Sequence, residues 1–93
     1  MKRQDFIKNL KETLGERYRV TTIAPSKNSL RTDYPQYTLI VTSVSFNDII
    51  CVSNIVCKKD NSIFYIENIA IHSSSTSNDT IVSILNLNSK AVD

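Results

Sequence analysis

Apolar side chains at Phe6, Ile7, Leu10 and Leu14 recur at helical spacing over residues 3–14. They fall within a stripe of roughly 100°, the width a core-facing helix needs. Asp5, Lys8 and Glu12 lie on the opposite side. Gly15, the chain's one glycine, follows where a left-handed C-cap is wanted, so the helix is expected to stop there. Over residues 17–23 the period drops to two. Tyr18 and Val20 point one way and Arg17, Arg19 and Thr21 the other, which predicts a strand. Ala24-Pro25 ends it, because proline has no N–H to give to a ladder.

Residues 24–36 read as a polar surface loop. Residues 37–46 are dense in Thr, Val, Ile and Tyr, which is strand chemistry, and Asn47-Asp48 supplies a turn whose side chains tolerate positive φ. A third strand spans 49–57, Lys59-Asp60-Asn61 makes a second turn, and a fourth strand spans 62–71. That last strand is apolar on both faces, a pattern expected at the centre of a sheet or beneath a partner. Residues 72–78 form a Ser-rich linker. Residues 79–90 follow as a helix with a narrow polar stripe of Ser83, Asn86 and Lys90. A fifth strand is the alternative there, since β-branched residues lower helix propensity. The expected fold is a single small α+β domain over 1–93, in the order α-β-β-β-β-α. It has an antiparallel sheet of about four strands, with the helices packed on one face.

Composition narrows the functional classes. With 41% apolar and 22% charged residues the chain has a globular balance. No apolar stretch approaches the roughly 18 residues of a membrane-spanning helix. Met1-Lys2-Arg3 runs into Gln4-Asp5 rather than an apolar segment, so a cytoplasmic location is expected. Cys51 and Cys57 would stand roughly 20 Å apart on one strand, beyond disulfide reach, and are expected to be reduced and buried. With His72 they have no metal-site spacing. His72 precedes Ser73, Ser74 and Ser75, but neighbours on a strand alternate faces and do not meet as base and nucleophile. One glycine cannot build a phosphate loop. No enzyme activity, metal or cofactor is expected.

Charge is uneven along the chain. Residues 1–31 carry a net +5 and residues 32–93 a net −3. Arg17 and Arg19 share a strand face, and Lys27 and Arg31 in the next loop extend a candidate binding patch for phosphates or carboxylates. On the 79–90 segment, Ile81, Leu85 and Asn88 are the candidate interface for a homodimer or another partner. Phe, Tyr, Met, Ile, Asn and Lys total 36 residues against 10 for Gly, Ala, Arg and Pro, as in chains encoded by AT-rich genes. The leading expectation is a stoichiometric binder of a larger protein, encoded by a phage or plasmid and directed at a host enzyme or a defence (CRISPR-type) complex. The alternatives are an accessory nucleic-acid binder using the basic patch and, more weakly, a structural subunit of a phage or secretion particle.

Overall fold

In a computed structural model, residues 1–26 and 34–72 are described. Helix α1 spans Arg3–Leu14, and strands β1 to β4 span Tyr18–Ile23, Gln36–Ser43, Ile49–Cys57 and Ile63–Ile71. The strands form one antiparallel sheet in the order β1-β2-β3-β4, each pairing with its sequence neighbour. This is the expected small α+β architecture. Lys27 and Arg31, most of the Ser-rich linker, and the 79–90 segment with Ile81, Leu85 and Asn88 lie outside the described residues.

Helix α1 has the predicted bounds, and Phe6 and Leu10 are its buried residues. No side chain caps its N-terminus. Instead the Arg3 N–H donates to the Asn61 carbonyl at 2.9 Å, which satisfies one of the donors a helix start leaves open. At the other end Gly15 has φ +76° and ψ −169°, a backbone region open essentially to glycine alone.

Register neighbours share a face. One face therefore carries Val20, Val41 and Cys51 in a row, with Leu39 beside Ser53, and Tyr37 beside Ile55 and Ile66. Most of these residues, with Phe6 and Leu10, make up the buried cluster, and Tyr37 packs against it. The second face carries Arg19, Thr21, Ile40, Val52, Asn54 and Glu67.

Among the described residues, strand β4 lies at the edge of the sheet and not at its centre. Its apolar run has another cause. The register shifts between Val52 and Asn54 and between Val56 and Cys57 leave one extra residue in β4 each time, at Asn68 and at Phe64. Asn68 has φ +56°, the left-handed conformation a bulge of this kind uses. Each bulge adds one residue to the two-residue period, so Ile63, Ile66 and Ile69, spaced by three, all reach the core. A third shift, between Val41 and Thr42, leaves Ile50 as the extra residue in β3, and Ile50 and Cys51 are both buried.

Strand β2 ends at Ser43, three residues earlier than its composition predicts. The Ser43 N–H donates to the Asp48 carbonyl at 2.8 Å and closes a loop over Val44–Asn47, with Asn47 at φ +57°. The β3–β4 turn falls where expected. The Lys58 N–H donates to the Ser62 carbonyl at 2.8 Å and Asn61 takes φ +70°, a three-residue loop ending in a left-handed position.

Candidate functional site

The end of the sheet where β1 begins combines charge with exposed apolar surface. Arg17 and Arg19 are both exposed and two residues apart, Arg17 in the turn that leads into β1 and Arg19 on the strand itself. Neither has a carboxylate partner among the described residues. The Val44 N–H donates to the Arg17 carbonyl at 3.0 Å, which fixes the β2–β3 loop beside this pair. At the tip of that loop Phe46 is 79% exposed, flanked by Val44 at 46% and Ile49 at 47%. Ile71 joins them at the same end, since the adjacent His72 N–H donates to the Ile50 carbonyl at 2.9 Å. Three large apolar side chains standing in water on one hairpin are unusual for a surface with no partner.

The structure thus brings together the first two residues of the predicted patch, Arg17 and Arg19, while Lys27 and Arg31 lie outside the described residues. The apolar half of the site was not anticipated. Val44 and Phe46 continue the β2 alternation and read as strand residues. The signal that separates them is the polar cluster Ser45, Asn47 and Asp48 around Phe46, which marks a loop.

Two other surface groups frame the opposite end. Tyr34, Phe64 and Tyr65 form an edge-to-face chain, with ring centroids 5.3 Å and 5.1 Å apart. The Lys58 ammonium lies 5.4 Å from the Phe64 ring. Nearby, residues 1–3 are clasped to the β3–β4 turn. The Ile63 N–H donates to the Met1 carbonyl at 2.8 Å, Arg3 Nε donates to Asn61 Oδ1 at 3.1 Å, and the Arg3 guanidinium stacks 3.9 Å over the Tyr37 ring. Lys2 Nζ donates to the Asp60 carbonyl at 2.6 Å and pairs with its carboxylate at 3.5 Å. The Asp60 carboxylate accepts from the Ser62 hydroxyl and the Ser62 N–H, and these bonds, with a smaller contribution from Lys2, hold its pKa at about 2.

Cys51 and Cys57 are free thiols buried in β3. Burial pushes both pKa values up, with the Arg3 charge opposing the rise at Cys57, so neither is a ready nucleophile. Among the described residues no group of three or more His, Cys, Asp and Glu side chains converges on a metal position, and no helix is long and apolar enough to cross a membrane. No protein-family model matches the chain, and neither a curated protein nor a solved structure is significantly similar to it.

Proposed function

We propose that the chain is a small non-enzymatic binding module that acts stoichiometrically on a larger protein through the Arg17, Arg19 and Val44–Ile49 end of the sheet. The observation that carries this reading is Phe46, 79% exposed at a hairpin tip between two further exposed apolar residues. Covering such a side chain is worth about 1.5–3 kcal/mol. Binding energy concentrates on buried aromatic anchors of this kind, with charged groups on the rim. Arg17 and Arg19 supply the rim and favour an acidic partner surface. The amino-acid composition, rich in residues with AT-rich codons, is in keeping with a phage or plasmid origin; a host enzyme or defence (CRISPR-type) complex in the cytoplasm is the target we propose on that origin. We further propose that residues 79–90 form the second helix, on the same face as α1. The other face is mixed, with Arg19, Asn54 and Glu67 beside Ile40, Val52 and Val56, and the proposal rests on the cost of desolvating its charged groups.

The alternative of an accessory nucleic-acid binder rests on the Arg17–Arg19 pair. One experiment separates the two readings. Tagged parent, Phe46→Ser and Arg17→Ser/Arg19→Ser chains are purified from producing cells, with and without nuclease, and the bound species are identified by mass spectrometry. The protein-binding reading expects a partner in fixed ratio that survives nuclease and is lost with Phe46→Ser, while all three chains melt alike. Recovery of nucleic acid that disappears with the arginine variant, steeply salt-dependent and indifferent to Phe46, would establish the alternative instead.

A further inference from the structure

Strand β1 ends the sheet, and no described residue pairs with its outer side. The Val44 to Arg17 bond makes those two residues a hydrogen-bonded pair. In an antiparallel ladder the pattern repeats every second residue, so Arg19, Thr21 and Ile23 also turn their N–H and C=O toward β2. Val20 and Thr22 therefore turn theirs outward. The Tyr18 N–H is taken by the Gly15 carbonyl at 3.4 Å. The β1–β2 register is unbroken over all six pairs, and β1 contains no proline, lysine or bulge. Proline, lysine and bulges are among the features that blunt a sheet edge; β1 lacks these three, and its guards are its six-residue length and the charge of Arg19.

The space beside this edge is shaped as well as open. Two adjoining hollows, of about 380 and 580 Å³, lie where α1 meets β1 and share Lys11 and Glu12. Arg3, Ile7, Lys8 and Thr22 line the first, and Tyr18, Arg19, Val20 and Glu16 the second. The second hollow is also lined by Gly15 and Val44, so it lies at the start of β1 between the end of α1 and the β2–β3 loop, while the first, lined by Thr22, lies farther along the strand.

We infer that an extended, acidic segment of the partner protein adds to β1 as a fifth strand, running beside α1. This rests on the reading of the chain as a protein-binding module and gives its mode of recognition. Main-chain bonds to Val20 and Thr22 hold the segment, and its alternating side chains select it. Those on the α1 side meet Ile7, Tyr18 and Val20 and are apolar. Those on the other side stand next to Arg17 and Arg19 and are carboxylates, because like charges directly opposite would repel. Glu12 and Glu16 also line the hollows, but Arg3, Lys8, Lys11 and Arg19 outnumber them. A second copy of this chain fits less well, since a two-fold pairing at β1 would bring Lys8 and Lys11 of both helices to the same seam.

The test uses the full chain, labelled with nitrogen-15, and two peptides of about six residues, one alternating Glu and Val and one alternating Lys and Val. Amide hydrogen exchange is the readout. In the free chain the Val20 and Thr22 amides are expected to exchange freely, and those of Arg19, Thr21 and Ile23, turned toward β2, to be protected. The Glu-Val peptide is expected to protect Val20 and Thr22 by about tenfold or more, and the Lys-Val peptide is not. Thr22→Pro removes an outward donor, spares the β1–β2 ladder, and should abolish the effect. Arg17→Ser/Arg19→Ser keeps every backbone group and should erase the preference for Glu-Val, so the proposal stays testable if Thr22→Pro does not fold. Absence of protection at millimolar Glu-Val peptide, or equal protection by both peptides, overturns the proposal. Protection that grows with protein concentration and needs no peptide also overturns it, and gives the edge to a second copy. Shifts confined to Val44, Phe46 and Ile49 would overturn strand addition while leaving the protein-binding reading standing.

Discussion

Among the described residues strands β1 and β4 both end the sheet, yet they are finished in different ways. Strand β4 has nine residues and carries two bulges, at Phe64 and Asn68. Residues 1–3 also lie along its start, through the Lys2–Ser62 bridge and the Met1 carbonyl. Strand β1 has six residues in an unbroken register and is flanked by a groove instead of a clasp. A long apolar edge is a template for unwanted pairing, and bulges, short length and coverage are the usual remedies. The longer and more apolar edge is here the more heavily guarded one. The difference indicates that the exposure of β1 is not a general tolerance of open edges in this fold.

The largest way to disturb this comparison is to release the helix that flanks β1. Leu10 is 1% exposed and belongs to the buried cluster, so Leu10→Ala is expected to cost about 2–5 kcal/mol. Chemical denaturation should report it as a lower midpoint. A variant as stable as the parent would mean that α1 is not docked against β1. A smaller effect comes from removing a guard on β4. Deleting Asn68 closes the bulge and puts Ile69 opposite Ser53, while Ala70–Val52 and Ile71–Cys51 stay paired as before. Stability should change by about 1 kcal/mol or less, while the flattened edge promotes self-association. Light scattering at matched concentrations checks this, and an unchanged mass would show that the bulge does not protect the edge.

The smallest effect concerns the clasp. The Asp60 carboxyl is held at about 2 against an ordinary 3.8, so its ionised form favours the folded state. That contribution is complete above the ordinary value, and it disappears as pH falls from about 5 through 2. Asp60 is exposed, so the effect is slight. The melting temperature of Asp60→Asn should fall less between pH 5 and 2 than the parent's, and parallel curves would place the acid sensitivity elsewhere.

Much of this architecture is legible in the sequence, and what is not has a common cause. The α1 and β1 patterns are read directly, because a helix stripe and a two-residue alternation need no information from elsewhere in the chain. The turn at Lys59-Asp60-Asn61 is equally local. Bulges are different, since they exist only relative to a paired strand. Ile63, Ile66 and Ile69 therefore read as a run apolar on both faces, which predicts a strand at the centre of the sheet or beneath a partner. Asn68 takes the left-handed conformation that Asn47 and Asn61 take in turns, but Asn54 sits in β3 without it, so an asparagine inside an apolar strand permits a bulge and does not mark one. Of the candidate site, the exposed Arg19 follows from alternation alone. The exposed Phe46 does not, because its exposure depends on where the Ser43–Asp48 bond ends the ladder.

The attachment of residues 1–3 to Asn61–Ile63 also bears on how the chain folds. Every strand pair in the sheet joins sequence neighbours, a topology of local contacts that folds quickly. The contacts of the N-terminal segment are not local, and the clasp is among the longest in reach, since the Met1 carbonyl and the Arg3 N–H find their partners some sixty residues away. During synthesis the first helix can form as soon as it is made, but its leading turn has no cap until the third hairpin has emerged. Loop-closure entropy weighs heavily on such a contact. Its closing is thus a late event in folding, and the same contact is the first expected to open when the native state loosens.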